Sequence, residues 1–131
     1  MKLPARLLAK LSPLVEAVRG QPLAEPSLQI TEQSVDRVRV ESELGAAVFD
    51  LNLRIVQLEP GRQIGFAEIQ SVDIGRFPGG RGEPSWSVSL YLGPLRSIPL
   101  GRTYDDGDAS VIAAKLARRI GCKVIAVAMQ R

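Results

Sequence analysis

Three aspartates near the end of this chain have the residue type and spacing of a cation site. Asp105, Asp106 and Asp108 could supply carboxylate ligands to Mg²⁺ or Ca²⁺, because both ions prefer oxygen donors. The residues that follow lack the later ligands and the closing bidentate glutamate of a calcium-binding loop. The pattern therefore favours a helix N-cap, in which Asp105 or Asp106 accepts hydrogen bonds from free backbone N–H groups.

The loop 75–84 could bind an anion. It contains Arg76 and Arg81, and its four glycines and two prolines leave backbone N–H groups available. It lacks the Gly-Lys-Ser/Thr sequence of a phosphate-binding loop, and no helix is predicted directly after it. We therefore expect a hairpin connection between two strands, with Arg76 and Arg81 as the candidate ligands if the loop binds an anion.

Serines alternate along the next segment, and a nucleophilic serine needs an oriented general base. Ser85, Ser87 and Ser89 flank Trp86, but the chain has no histidine and no Ser-x-x-Lys motif. Histidine is also the commonest metal ligand. We therefore interpret the serines as hydroxyls on a strand face, and we predict no catalytic residue, no metal site and no cofactor.

Two further side chains have a structural and a functional interpretation. Trp86 is predicted to lie in the core, with an interface aromatic as the alternative. Cys122 follows a helix stop among apolar residues, which favours a buried small hydrophobe over a reactive thiol.

Composition limits the class of protein. A chain of 131 residues with 45% hydrophobic residues suits one folded domain with a core of Val, Ile, Leu and Ala. The net charge of +3 is spread along the sequence, so no nucleic-acid partner is expected. One cysteine cannot form an internal disulfide, and no apolar run approaches the roughly 18 residues that span a bilayer. We expect a cytoplasmic protein.

Residues 1–22 are predicted to form an N-terminal amphipathic helical segment. Their leucines and valines recur at helical spacing, with a second start or a kink at Ser12-Pro13. Lys2, Arg6 and Lys10 fall largely on another face. The segment could dock on its own domain, pair with a second copy, or lie on an anionic membrane surface through these three cations.

From Ser27 onward the apolar residues alternate with a period of two, which predicts strands. Residues 49–55 are predicted to form either one long strand or two strands that meet near Asn52. The spacing of the apolar residues at 66, 69, 72 and 74 predicts a next strand with a bulge or an irregular start. The loop 75–84 is predicted to contain no regular structure.

The last elements are a helix and a closing strand. The helix is predicted between Asp105 and Gly121, with acids at its start and bases near its end. Its predicted apolar stripe consists of Val111, Ile112, Leu116 and Ile120. Residues 123–129 are β-branched enough to form a further strand, so the order of elements predicts an α+β domain with an antiparallel sheet.

These segments resemble a known family. The residues that carry the resemblance are Phe66, Ile69 and Val72, Trp86-Ser-Val-Ser-Leu90, Leu100-Gly101, Ala113-Ala-x-Leu-Ala117 and Ile120-Gly121. They look like bacterial pleckstrin-homology-like (PH-like) domains of uncharacterised proteins, over residues 27–122. The resemblance implies a partly open barrel of two curved antiparallel sheets, capped by a C-terminal helix. The N-terminal helix and the strand after the capping helix are additional to the family pattern.

The resemblance implies binding and assembly more than catalysis. Arg37 and Arg39 lie near the first hairpin, where lipid-binding relatives hold basic residues, but they alternate with valines as on any solvated strand face. No binding residue is therefore carried over from the family.

Two domain assignments and three classes of function follow. Residues 1–22 are the N-terminal segment and residues 27–131 the PH-like domain, which we expect to be a non-enzymatic protein-interaction or assembly module. Its predicted partner surfaces are the edge 124–129 and the N-terminal segment, with a homo-oligomer as one form of assembly. The alternative is a peripheral membrane or anionic-ligand binding protein, and the third class is a metal-dependent enzyme. The cations assigned to the alternative are Lys2, Arg6 and Lys10, or Arg76 and Arg81.

Overall fold

The structure, a computed structural model, describes residues 24–79 and 82–127. These residues contain nine strands, one short 3-10 helix and one α-helix. The elements are β1 (Gln29–Gln33), β2 (Arg37–Ser42), β3 (Gly45–Asp50), β4 (Ile55–Leu58), β5 (Arg62–Gly65), η1 (Phe66–Glu68), β6 (Ser71–Phe77), β7 (Ser85–Gly93), β8 (Arg96–Thr103), α1 (Asp106–Ile120) and β9 (Lys123–Val127). The predicted helical segment 1–22 lies outside the described residues.

The first five strands form an antiparallel sheet in which each strand pairs with the next along the chain. The Asp50 carboxylate turns the chain between β3 and β4, because it accepts hydrogen bonds from the N–H groups of Asn52 and Leu53 at 3.0 and 2.9 Å. The prediction of two strands meeting near Asn52 is therefore confirmed, and the single long strand is wrong. The sequence did not indicate β5, since Ile64 is its one buried side chain.

The second sheet has the order β8-β7-β6-β9. β6, β7 and β8 are antiparallel, whereas β9 lies parallel to β6. A parallel pair needs a long crossover, and α1 supplies it. The predicted closing strand is thus present over Lys123–Val127, but the sheet is mixed rather than purely antiparallel.

Two local predictions need correction. The irregular start at Phe66 is the helix η1, and β6 begins only at Ser71. The loop 75–84 was predicted to contain no regular structure, yet β6 continues through Phe77 because Gly75 pairs with Ser87 across the hairpin. The irregular connection is therefore shorter than predicted.

The core lies between the inner faces of the sheets and one face of α1. Its fully buried side chains include Phe49, Val56, Val72, Leu90 and Leu116. The buried residues of α1 are Ala109, Ile112, Ala113, Leu116, Ala117 and Ile120. The predicted stripe includes Val111, and this part of the prediction is wrong: Val111 is 52% exposed, because it lies about 100° around the helix from Ile112. Trp86 packs against the core but is only partly buried.

The chain is therefore an α+β protein with two sheets, of five and four strands, capped by one C-terminal helix. The sheets meet where the Leu28 N–H donates to the Arg102 carbonyl at 2.9 Å. In residues 24–79 and 82–127 the two sheets remain separate, so they do not close into one barrel.

Candidate interaction surface

β9 forms one edge of the four-stranded sheet. It pairs with β6 along its whole length, from Ser71 opposite Lys123 to Gly75 opposite Val127. None of the described residues pairs with its other side. Unpaired N–H and C=O groups along an edge form a template onto which another strand can add.

The position of β9 follows from the way α1 ends. Gly121 adopts the left-handed conformation with φ +92°, and its N–H and that of Cys122 both donate to the Ala117 carbonyl, at 2.8 and 3.0 Å. This C-cap reverses the chain so that the next five residues run along β6. Val124 and Ile125, on opposite faces of the strand, remain 40% and 37% exposed.

β9 has few of the features that block strand addition. Proteins protect edges with prolines, bulges, inward-pointing charges or very short strands. The register between β6 and β9 has no bulge, and Lys123 is the single charge in β9. The strand is therefore an apolar edge that can accept a partner.

Among the cations predicted to bind an anion, the structure describes Arg76. Its side chain is exposed near the end of β6, opposite Trp86. Arg81, Lys2, Arg6 and Lys10 lie outside the described residues, so both predicted sets of cations stay predictions. No helix in the described part of the chain is long and apolar enough to cross a membrane.

The aspartates at the start of α1 have the predicted capping geometry. The Asp105 carboxylate accepts a hydrogen bond from the Asp108 N–H at 2.9 Å, and Asp105 is the N-cap residue. Its own N–H donates to the Thr103 hydroxyl at 3.2 Å. Within residues 24–79 and 82–127, no three His, Cys, Asp or Glu side chains are grouped so that they could hold a metal ion.

Two of the three strand serines, Ser85 and Ser87, take part in hydrogen bonds that hold the sheet. The Ser85 hydroxyl accepts from Arg102 Nη1 at 3.2 Å, and the Ser87 hydroxyl donates to the Gly75 carbonyl at 3.4 Å. Neither bond orients a general base toward a serine oxygen. The geometry fits the interpretation of hydroxyls on a strand face.

Cys122 lies half-buried against the core, close to Asp73. Burial raises the pKa of its thiol, and the Asp73 carboxylate raises that pKa further, against a smaller opposing effect of a backbone hydrogen bond at Val72. A raised pKa keeps the thiol protonated near neutral pH, and the thiolate is the reactive form. The predicted preference for an unreactive thiol is consistent with this environment.

No local pattern in the sequence indicates the ion pair between Glu43 and Arg102. The Glu43 side chain is 4% exposed and that of Arg102 18%, with Oε2 and Nε 3.5 Å apart. The Glu43 carboxylate also accepts hydrogen bonds from the N–H groups of Arg102 and Ser27, at 3.0 and 3.1 Å. These donors stabilise a carboxylate that would otherwise be costly to bury.

The Arg102 guanidinium extends this network to the start of the described chain. Nη2 donates to the Ala24 carbonyl at 3.0 Å, and the group lies 5.7 Å from the centre of the Phe77 ring. Beside it, the Tyr104 hydroxyl donates to the Glu25 carboxylate at 2.9 Å, and this bond raises the pKa of Tyr104. The segment before β1 is thus fixed to the end of β8.

Comparison with known proteins finds no match: no protein-family model fits the sequence, and neither a curated protein nor a solved structure matches the chain significantly. The geometry of β9 and its surroundings is therefore the basis for inference about function.

Proposed function

We propose that this chain is a non-enzymatic protein-interaction or assembly module with a PH-like fold, acting in the cytoplasm. Its binding surface is the outer edge of β9, which adds a strand from a partner. The observation that carries this proposal is an apolar strand whose outer edge is unpaired among the described residues.

The other sheet edges are less suited to strand addition. β8 packs against β2 and β3, and its Arg102 carbonyl accepts from the Leu28 N–H just before β1. β1 carries a bulge between Ile30 and Glu32 and exposes mainly polar side chains. β5 is a four-residue strand whose Arg62 and Gln63 side chains are exposed and polar. β9 is longer than β5 and carries apolar side chains. A partner strand added to β9 therefore gains main-chain hydrogen bonds and apolar side-chain contacts together.

The PH-like assignment is supported by the order of the elements. An antiparallel meander of strands is followed by the antiparallel set β6-β7-β8 and then by a helix that packs on the second sheet. β9 extends the second sheet by one strand beyond the helix. The strand added after the helix is therefore where this chain departs from the family pattern.

The non-enzymatic assignment is supported by what the candidate polar groups do. Asp105 caps α1, Ser85 binds Arg102, and Ser87 binds a backbone carbonyl. Each has a structural partner in the folded chain. The sequence also lacks histidine, the commonest general base.

Selection of peptides from a displayed random library against the folded chain tests this proposal. We expect the selected peptides to be extended and rich in β-branched residues, and to slow amide exchange in β9. The variants Val124→Pro and Ile125→Pro form a matched pair that tests whether peptide binding uses the outward N–H groups of β9. Alternate residues of β9 direct their N–H away from β6, so one of the two substitutions removes an outward donor while it spares the β6 pairing. Peptides that protect amides elsewhere would contradict the assignment of β9.

Flotation with neutral and anionic vesicles tests the alternative. Membrane binding through Lys2, Arg6 and Lys10 requires that the full chain floats with anionic lipid, that a chain lacking residues 1–22 does not, and that salt releases the protein. Binding that survives the truncation and is lost in Arg76→Ala would instead indicate an anion site at residues 76–81. Either result would replace the interaction module as the primary function.

A further inference from the structure

We infer that the partner at the β9 edge is a second copy of this chain. β9 of one copy pairs antiparallel with β9 of the other, across a two-fold axis that passes midway between the two Ile125 residues. This inference rests on the proposed function, because it assigns the partner of the same edge.

The side-chain pattern of β9 complements itself in that register. Ile125 opposes Ile125 of the second copy, and Val124 opposes Ala126. Lys123 opposes Val127, so the single charge of the strand never faces a like charge. A parallel, in-register pairing would instead place Lys123 opposite Lys123, and like charges directly opposite each other destabilise a sheet.

The main-chain groups also fit this register. In a strand that pairs on one side, alternate residues direct both N–H and C=O toward the neighbour, and the remaining residues direct them outward. If residues 123, 125 and 127 point outward, they oppose 127, 125 and 123 of the second copy. If 124 and 126 point outward, they oppose 126 and 124. Either arrangement gives about four to six hydrogen bonds between the copies.

Pairing covers the apolar side chains that β9 leaves exposed. Val124 lies opposite Val72 of β6, and Ile125 lies opposite Asp73. Since successive residues of a strand face opposite sides, the two copies place Val124 beside Ala126 on one side of the sheet and join the two Ile125 side chains on the other. The side chains that are 40% and 37% exposed in one copy each gain an apolar neighbour.

Two-fold pairing closes the assembly. It uses the same edge of both copies, so no free β9 edge remains for a third chain. The product is a continuous eight-stranded sheet built from the two four-stranded sheets. A five-residue strand buries less than a standard interface of about 1,600 Å², so we expect a dissociation constant in the micromolar range, about 1 to 100 µM.

Sedimentation equilibrium of the full chain, from about 1 µM to about 1 mM, measures this association. The mass should rise with concentration from 14.2 kDa to twice that value. A chain that stays monomeric throughout would overturn the inference, as would a mass that grows beyond the dimer. If such a monomer still binds selected peptides at β9, the proposed function survives and only the identity of the partner is wrong.

Two variants with opposite charges at position 125 test the register. Ile125→Lys places two lysines opposite each other in the dimer, while in each monomer the new cation lies opposite Asp73. The dissociation constant should rise by about tenfold or more. Ile125→Glu should weaken self-association similarly, and an equimolar mixture of the two variants should form a heterodimer with nearly the original affinity.

Val35→Lys is the matched control, because Val35 is exposed and lies in the turn between β1 and β2, away from β9. It should dimerise like the unchanged chain. Equal association of Ile125→Lys and the control, or no recovery in the mixture, would overturn the register centred on Ile125. If circular dichroism shows that either variant does not fold, amide exchange of the unchanged chain tests the inference instead. The outward-pointing amides of β9 should then gain protection as the protein concentration rises, and unchanged exchange would overturn the inference.

Discussion

The Glu43 carboxylate accepts a hydrogen bond from the Arg102 backbone N–H at 3.0 Å and also contacts the guanidinium of the same residue. Glu43 lies in the turn between β2 and β3, and Arg102 lies in β8. This pair therefore joins the five-stranded sheet to the four-stranded sheet. Because Arg102 also holds Ala24, the pair fixes the point at which the chain enters the fold.

Removal of the carboxylate should destabilise the fold strongly. Glu43→Ala leaves the Arg102 guanidinium without its carboxylate and the Ser27 N–H without its acceptor, and breaking a buried ion pair costs about 3 kcal/mol or more. Urea denaturation measures the loss. Glu32→Ala is the control, because Glu32 is 48% exposed in its ion pair with Arg37 and should cost less than about 1 kcal/mol. Equal losses in the two variants would show that the Glu43 pair stabilises the fold no more than an exposed ion pair does.

The N-cap of α1 should contribute measurably to stability. Asp105→Ala removes the acceptor of the Asp108 N–H and should cost about 1 kcal/mol of unfolding free energy. Asp105→Asn keeps a side-chain oxygen at the cap and should cost much less. Thermal unfolding of both variants checks the prediction. A similar loss for Asn and Ala would assign the effect to the charge rather than to the hydrogen bond.

Gly101 should tolerate no side chain. Its φ is +149°, and an added Cβ would overlap the Ser42 side chain, whose hydroxyl donates to the Leu100 carbonyl. Gly101→Ala should therefore cost about 3 kcal/mol, through backbone strain and overpacking between the sheets. Gly61→Ala, where nothing lies within 4 Å of the new atom, should change stability by less than about 1 kcal/mol. Equal urea midpoints for the two variants would contradict this explanation.

The Cys122 thiol should react slowly and with a pH dependence set by its surroundings. Burial, and then the Asp73 carboxylate, raises its pKa, so at pH 8 iodoacetamide should alkylate it more slowly in the folded chain than in denaturant. Asp73→Asn should lower the pKa of the thiol and speed alkylation, whereas Asp106→Asn should not. Because the folded pKa is raised, the contribution of the neutral thiol to stability is present at neutral pH and is lost as pH rises through that pKa. An unchanged alkylation rate in Asp73→Asn would rule out the carboxylate as a cause.

Local patterns explain why α1 could be predicted so closely. Its cap at Asp105, its stop at Gly121 and its charge gradient all lie within or beside the helix, so neighbouring residues specify them. The exposed Val111 shows what these local patterns leave undecided, namely which side of the helix is buried. An apolar residue type does not reveal which arc of the helix meets the sheets, and the alanines at 109, 113 and 117 fill that arc instead.

Predictions about the strands were less complete, because a strand is stabilised by residues far from it in sequence. β5 holds one buried side chain and forms through its pairing with β4, so its own sequence has no clear period. The extension of β6 through Phe77 likewise depends on β7 across the hairpin. Period-two patterns locate strands with a buried face, and they miss strands that form mainly through main-chain bonds.

The amino-acid sequence by itself determined the α+β class, the C-terminal helix with its caps, and most of the alternating strands, because these depend on neighbouring residues. Only the tertiary structure decided that β9 lies parallel to β6 with its other edge unpaired among the described residues, and that Glu43 meets Arg102 across 59 positions. Strand order and buried ion pairs depend on which distant surfaces pack together. That choice is made by burial across the whole domain, and no local period encodes it.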